Sequence, residues 1–494
     1  VDLQGRTLPA GARIYLIGIC GTAMASLAGI LKEMGFIVSG SDQNVYPPMD
    51  EQLRRVGIPF FEAYRVENIE QFAPDFVIIG NVISKGHVEA EWVIQQGIPY
   101  SSLPAFLGEA ILRHKRSLVV CGTHGKTTTT SLLAWVLDVC GRNPGFLIGG
   151  IAKNFGNSFR YHKDSEDFVI EGDEYDTAFF DKVPKFTHYA PAHAILTSVE
   201  FDHADIYSDL QAVKMAFAKL PQVLRQGGQI VAYGDDPNIR ELMARYPQVS
   251  WLTYGQGEAC SFRMQNITHQ GSGVSFALVD REGRVDRVEC SLWGEHNARN
   301  VAAVWILATK VLGLTPQVVM KAMLSFQGVR RRSDVLGVFG GVTLVEDFAH
   351  HPTAVSETLK ALRQRFSEAG RIWVAFEPRS ATSRRAVFQQ DYVHSFLQAD
   401  GICVKEAFDQ SKIPAEQRFS SQRLVEDLQK KGKKAFYFSS TPELAQFLVS
   451  QSHAGDLIVV MSNGGFDGIF EQLKSGLASR FSASAHTKGV LPSI

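Results

Sequence analysis

Apolar positions along the chain alternate between two rhythms. Short runs rich in β-branched residues, at 13–18, 37–42, 76–80 and 117–120, have the length and composition of strands buried on both faces. Between them apolar residues recur at helical spacing, as over 25–34, 103–112 and 132–137. The same alternation returns with strands at 168–170, 194–199 and 229–233, a helix at 301–311, and strands at 342–347, 371–376, 400–404, 435–438 and 456–461. Strand–helix–strand order of this kind predicts the α/β class with parallel sheets. Residues 250–290 break the rhythm and read as short strands with glycine turns, a β-rich appendage, and 481–494 reads as a loose tail.

A chain of 494 residues exceeds what one core supports, so three domains are expected. Two basic runs serve as boundaries: 113–116, read as a solvated linker, and 330–332. The expected division is a Rossmann-like domain at 1–114, a central P-loop ATPase-type parallel sheet at 115–332 and a second Rossmann-like domain at 333–494. Hydrophobic residues make up 45%, charged residues 20%, and the net charge is -1, which argues against nucleic acid as the partner. The longest apolar stretches are strand-length, so no membrane span is expected. Six scattered cysteines without a C-x-x-C pair, and a first segment without a signal pattern, point to a reducing cytoplasm.

The strongest chemical signal comes after the strand at 117–120. Cys121-Gly122-Thr123-His124-Gly125-Lys126-Thr127-Thr128 joins a buried strand to a helix through a glycine turn, an arrangement that cradles a nucleotide triphosphate. Lys126 is placed to reach the outer phosphates, and the Thr127 hydroxyl to ligate Mg²⁺. The loop is one residue shorter than the common P-loop, since Gly122 precedes Gly125 by three positions. Acids close two later strands of the same sheet: Glu171-Gly172-Asp173-Glu174 and Glu200-Phe201-Asp202-His203. They belong on the carboxyl edge that carries the phosphate loop, near the metal.

Gly18 to Met24 forms a phosphate-type turn, with Asp42 closing the next strand as a ribose-reading acid would. Its glycines do not follow G-x-G-x-x-G. His296, Asn297 and Asn300 share a first helical turn, suited to a purine edge or, for Asn297, to capping. In the last third, polar turns end three strands: Asp347-Phe348-Ala349-His350-His351-Pro352, Glu377-Pro378-Arg379-Ser380 and Asn463-Gly464-Gly465-Phe466. Adjacent His350 and His351 suit hydrogen bonding better than chelation of one ion.

Taken in order, the turns at 122–129, 171–174, 202–203, 296–300 and 347–352 resemble those of the Mur ligases, the ATP-dependent amide ligases of the peptidoglycan stem. The resemblance covers almost the whole chain. Its Gly18–Met24 turn is similar to the UDP-N-acetylmuramate–alanine ligase branch, while the Cys-Gly-Thr form of that turn, Glu377-Pro378-Arg379-Ser380 and Asn463-Gly464-Gly465-Phe466 resemble the murein peptide ligase branch. That branch joins L-alanyl-γ-D-glutamyl-meso-diaminopimelate to UDP-N-acetylmuramate; the alternative acceptor is free L-alanine.

The resemblance implies residue roles. Gly122, Thr123, His124, Gly125, Lys126, Thr127 and Thr128 would hold ATP, with Thr127, Glu171 and His203 on Mg²⁺ and Lys126, Glu171 and His203 at the reacting phosphoryl. His296, Asn297 and Asn300 would lie at adenine; Arg330 or Arg331, and Asp347, would close on ATP. Cys20, Gly21, Thr22, Ala23 and Met24 would cradle the UDP pyrophosphate, with Asp42 and Ser84 near the uridine. Arg379, Ser380 and Asn463 would meet the peptide, His350 or His351 would help deprotonate its amine, and His124 would face the muramyl carboxylate. Phe217 stands where several relatives carry a carbamylated lysine, which fits the alanine-ligase branch. The implied chemistry is an acyl phosphate formed with ATP and captured by an amine, with domain closure about a hinge near 330–336. The protein is expected as a monomer or weak dimer.

Overall fold

The computed structural model describes residues 2–486 apart from 4, 44, 46–48, 271–272 and 369. Two compact units emerge. The first comprises Val1–Phe201, Ile206–Leu292 and His296–Val329; the second comprises Asp202–Asp205, Trp293–Glu295 and Arg330–Ile494.

Among the described residues the first unit contains two large sheets and two two-stranded ones. The N-terminal sheet orders its strands Ile37–Ser41, Arg13–Ile17, Phe76–Ile79, Tyr100–Ser102, all parallel. Strand order reverses at Arg13–Ile17, so the crevice beyond its carboxyl end is a ligand position by topology alone. Helix Thr22–Glu33 starts directly after Gly21, three positions earlier than the expected start at 25. Thr22, Ala23 and Met24 therefore form the helix's first turn, the place where main-chain N–H groups lack intrahelical partners.

The central sheet has ten strands. Arg116–Cys121 lies between Asp167–Gly172 and His193–Leu196, parallel to both. Gln229–Tyr233 and Ser250–Gly255 extend the parallel run. The stretch expected as a β-rich appendage continues this same sheet: Phe262–Gln270 pairs parallel to Ser250–Gly255, and Gly273–Asp280 and Val285–Cys290 add antiparallel. The basic run at 113–116 is solvated only in its first half, where Arg113 and His114 are exposed. Leu112–His114 is one 3-10 turn, and Arg116 opens the next strand with its Nε 2.6 Å from buried Asp167. Lys115 donates to the carbonyl oxygen of Lys163 at 2.5 Å. Local composition suggested solvent throughout; tertiary partners claim Lys115 and Arg116.

The two sheets of the first unit share a core. Leu27, Ile30 and Leu31 of the first helix pack in one apolar cluster with Leu147, Phe159, Phe168 and Ile170 of the central sheet. Ser26 Oγ lies 2.7 Å from Ser158 Oγ, which donates to Gln52 at 3.0 Å. Gly29 permits this approach: a Cβ there would lie 2.0 Å from the Phe159 ring.

The second unit carries a six-stranded sheet ordered Asp334–Phe339, Val342–Asp347, Leu457–Met461, Ile372–Phe376, Gly401–Lys405, Lys434–Phe438. Only Asp334–Phe339 is antiparallel to its neighbour. The carboxyl ends of Leu457–Met461, Ile372–Phe376 and Gly401–Lys405 thus open side by side. The expected tail at 481–494 begins instead as helix, because Ile469–His486 is continuous; 487–494 lie outside the described residues. Helix Glu295–Ile306 carries His296, Asn297 and Asn300 near its start, as expected, and passes into a π-turn at Leu307–Val311.

Gly29→Leu should lower unfolding free energy by about 1–3 kcal/mol through overpacking against buried Phe159. Urea unfolding checks this; an unchanged midpoint would mean the two sheets separate freely at this seam.

Candidate functional site

Arg116–Cys121 is buried along nearly its whole length, so its end is fixed in space. Gly122 then adopts φ +128, and a Cβ there would sit 2.1 Å from Thr197 Oγ1. Thr197 donates to the carbonyl oxygen of His124 at 2.6 Å, and Ser198 Oγ accepts from the His124 N–H at 3.1 Å. Thr123 Oγ1 accepts from the Glu200 N–H at 2.9 Å. The loop is therefore braced by the neighbouring strand's end. Gly125, at φ +81, turns the chain into helix Lys126–Val139 with no side-chain cap, leaving the first-turn N–H groups directed at the cradle.

Lys126 Nζ donates to the Gly122 carbonyl oxygen at 2.7 Å and to Glu174 at 2.8 Å, and lies 3.8 Å from Asp173. Asp173 accepts in turn from Lys185 at 2.9 Å, and Lys185 donates to the Tyr175 hydroxyl at 3.0 Å while resting 4.1 Å from the centre of its ring. Lys126, Asp173, Glu174 and Lys185 make a buried chain of two cations and two anions. Burial works against the Lys126 ammonium, yet Glu174 and Asp173 outweigh it and raise its pKa. Burial likewise pushes Asp173 up, but Lys185 and Lys126 outweigh it and bring it to about 2.

Thr127 Oγ1 lies 3.1 Å from Glu171 Oε2, and the other Glu171 oxygen accepts from the Gly149 N–H. A hydroxyl beside a carboxylate is a hard-oxygen pair that fits Mg²⁺. Asn300 presses against the phosphate loop, its Oδ1 2.6 Å from where a Gly125 Cβ would be, and donates to Asn297 at 3.2 Å. Asn297 is thus inside the helix rather than capping it. His296 is half-buried on the same turn. His124 Nε2 lies 3.3 Å from Glu200.

In the N-terminal sheet, Gly18 takes φ +85 and the Cys20 N–H donates to Asp42 at 2.9 Å. Tyr64 donates to the other Asp42 oxygen at 3.3 Å, so Asp42 holds the turn that it was expected to serve beside. Cys20 and Met24 are buried; Gly21 and Thr22 are exposed, as is Ser84 in the neighbouring turn. A fully buried carboxylate stands beneath: Glu89 accepts from the Arg65 N–H at 2.9 Å and from Ser41, the residue before Asp42. Burial raises its pKa.

In the second unit, His203 sits at φ +54 beside buried Asp202, whose carboxylate accepts from Thr382 at 2.7 Å. Burial pushes Asp202 up, but His203 first, with the hydrogen bond from Thr382, holds it well below the usual carboxylate range. Burial lowers His350. Its Nδ1 lies 3.0 Å from the Phe348 carbonyl oxygen, which only accepts, so Nδ1 carries the proton and Nε2 the lone pair. His351 instead caps helix Pro352–Arg365, accepting from the Thr353 N–H at 3.3 Å. Arg330 is exposed, whereas Arg331 is held by Glu346 at 2.8 Å and by the Ser462 carbonyl oxygen at 3.1 Å. Asp347 accepts from the Ser333 N–H at 2.6 Å and the Ala349 N–H at 2.7 Å, which fastens the entry segment of this unit. Arg379 stacks 3.8 Å over Phe408, and Ser380 binds Ser383 at 2.9 Å. Asn463 Oδ1 is enclosed without a hydrogen-bond partner.

The structure therefore gathers Lys126, Thr127, Glu171 and Asn300 about one loop. Lys185 and Glu89 carry no sequence signal: no motif surrounds them, and only the fold brings them to the strand ends, whereas Tyr175 directly follows the acid turn at 171–174.

Three family models match in succession: a Mur ligase family, catalytic domain over 13–115, a Mur ligase middle domain over 120–308, and a Mur ligase, glutamate ligase domain over 331–464. The UDP-N-acetylmuramate–L-alanyl-γ-D-glutamyl-meso-2,6-diaminoheptandioate ligase of Escherichia coli is 39% identical, over 96% of this chain and 100% of its own length. The UDP-N-acetylmuramate–L-alanine ligase of Lachnoclostridium phytofermentans is 32% identical over 93% and 97%. A crystal structure of a murein peptide ligase from Psychrobacter arcticus aligns at a TM-score of 0.71 and 31% identity, over 95% of this chain and 99% of that one.

Because Asp173 is held below its unfolded value, its contribution to stability is present above about pH 4 and is lost as pH falls through about 2. Urea unfolding of the native protein and Asp173→Asn should give a stability difference that shrinks across that window. A difference constant with pH would contradict the buried ion chain.

Proposed function

We propose that this chain, which belongs to the Mur ligase family, joins the lactyl carboxylate of UDP-N-acetylmuramate to the amine of L-alanyl-γ-D-glutamyl-meso-diaminopimelate. It is an ATP-dependent amide ligase of peptidoglycan metabolism. The observation that carries the choice of acceptor is the end-to-end likeness to the tripeptide ligase at 39%, against 32% for an alanine ligase.

A carboxylate becomes an acyl donor once its oxygen attacks the γ-phosphorus of ATP and ADP departs as leaving group. Lys126, the loop N–H groups and the helix N-terminus meet the charge that develops on the phosphoryl oxygens. Mg²⁺ neutralises phosphate charge when bound, and Thr127 and Glu171 are the residues that would hold it, with His203 as the further ligand of the family pattern. Glu174 and Asp173 keep Lys126 protonated and aimed before ATP arrives. The acceptor nitrogen then attacks the acyl carbon, and phosphate leaves as the amide forms. His350, neutral through burial and with its Nε2 lone pair available, is suited to take the proton from that nitrogen.

Asn297 and Asn300 serve the nucleotide, and Cys20 to Met24, steadied by Asp42, the UDP moiety. Arg379, Ser380 and Asn463 serve the peptide. Domain limits at 1–114, 115–332 and 333–494, with a hinge at 330–336, assign one substrate to each sheet and let closure exclude water from the acyl phosphate. Among the described residues no helix is long and apolar enough to cross a membrane. The place of action is the cytoplasm, the state a monomer or weak dimer, and no nucleic acid takes part.

ADP release with UDP-N-acetylmuramate should be fast with the tripeptide and slow with L-alanine; the reverse order would assign the alanine reaction. Lys126→Ala should lower turnover by about 100- to 1,000-fold or more with the fold retained by circular dichroism. Undiminished ADP release by that variant would remove the mechanism.

A further inference from the structure

The last residues of the first unit are stitched to strand Gly145–Ala152 and the turn after it. Asn154 donates to the Ser325 carbonyl oxygen at 3.0 Å and accepts from the Gln327 N–H at 2.8 Å. The Lys153 N–H donates to the Gly328 carbonyl oxygen at 3.0 Å, and Val329 forms an antiparallel bridge with Ala152, where the strand ends. Val329 is buried, in one apolar cluster with Phe146, Ile148 and Ala152. Order gives way to strain directly after it. Arg330 is exposed and opens the second unit, and Arg331 and Ser333 take φ +63 and +49 although neither is glycine. Firm anchorage thus ends at Val329, and the link into the second unit begins there.

The same strand touches the start of the phosphate-loop helix. The Gly149 N–H donates to Glu171, and Thr127 donates to the other Glu171 oxygen at 3.1 Å. A Cβ at Gly150 would lie 3.1 Å from Val329 Cγ1 and 3.2 Å from Thr127 Cγ2. Two methyl groups therefore face one notch: the first belongs to the residue before the link, the second to the residue after Lys126. The ladder with Asn157–Arg160 is interrupted between Leu147 and Ala152, so Gly149 and Gly150 fall outside it. A shift of the notch therefore breaks no bond of that ladder.

Thr127 is branched at Cβ, so its hydroxyl and its methyl turn together about one bond. A nucleotide that draws the hydroxyl away from Glu171 moves the methyl in the notch. Coupling between two places requires a contact of this kind, one that differs between the empty and the occupied state. We infer that Val329 is a positioning residue: it carries the state of the phosphate loop, through Thr127 and Gly150, to the link at 330–333, so that the conformation of the link depends on nucleotide. The inference rests on the reading of the loop as an ATP cradle and adds Gly150 and Val329 to it.

The test reads the link and the loop separately. Trypsin cleavage at Arg330, Arg331 and Arg332, identified by mass spectrometry of the products, reports on the link. Calorimetry with a non-hydrolysable ATP analogue and Mg²⁺ reports on the loop. In the native protein the analogue should slow cleavage there by about tenfold. Val329→Ala should bind the analogue within about threefold of native, yet its protection should fall below about twofold. Val329→Thr keeps the branched shape but puts a hydroxyl into the apolar cluster, so it should lose stability and still be protected as the native protein is. Native protection in Val329→Ala would overturn the inference, because the nucleotide would then shield the arginines directly. Equal loss of protection in Val329→Thr would overturn it too, because lowered stability would then account for both. Gly150→Ala presses on both methyls and should weaken analogue binding by about tenfold and alter the cleavage rate without nucleotide. Neither effect in Gly150→Ala would also overturn the inference, and this arm decides even if Val329→Ala fails to fold. A native protein that binds the analogue without protection would overturn the coupling, whereas one that does not bind it would instead overturn the ATP reading itself.

Discussion

A largely enclosed lysine depends on its acids. Lys126 is placed at the loop by a buried strand, a glycine turn and a helix start, and burial works against its charge. Glu174 and Asp173 keep it, and Asp173 is kept ionised in turn by Lys185. Removing one member would leave a buried charge unpaired, a cost of about 3–5 kcal/mol. An arriving triphosphate brings negative charge of its own and competes with Glu174 for the ammonium. The loop's glycines, the Thr197 and Ser198 contacts and the Asn300 amide all position this one cation. Its electrostatics make the loop an apparatus for phosphoryl transfer rather than a passive cradle.

The parts of this apparatus that lie within one turn of chain are legible in the sequence. Gly122 to Thr128, Glu171 to Glu174 and the strands before them carry their meaning in local order, because a strand end and a helix start together dictate the turn between them. Thr127 and Glu171, expected on one metal, meet at 3.1 Å. The features that escape the sequence are set by distant partners. Lys185 joins the ion chain through the fold alone. The basic run at 113–116 has the composition of a solvent-facing linker, but Asp167 claims Arg116. Arg331, expected at ATP, is held by Glu346 and by main-chain oxygens of its own unit. The helix through His486 gives no sequence signal because its polar residues show little apolar periodicity.

The three sheets use the same device for different ends. Each offers the carboxyl edge of parallel strands, where side chains from separate strands converge. In the N-terminal sheet buried Glu89 and Asp42 stiffen a main-chain cradle. In the central sheet the groups at the strand ends are charged and paired with one another. In the last sheet buried Glu377 gathers Arg379 and Lys405, while strained residues such as Asp467 present the counter-charge.

The central claim is that the carboxylate is activated as an acyl phosphate on this loop. It is tested most directly with UDP-N-acetylmuramate carrying oxygen-18 in its lactyl carboxylate. Turnover with ATP and the tripeptide should transfer one labelled oxygen to each phosphate released, read by mass spectrometry or by the phosphorus-31 isotope shift. Amide formation with unlabelled phosphate would contradict the account.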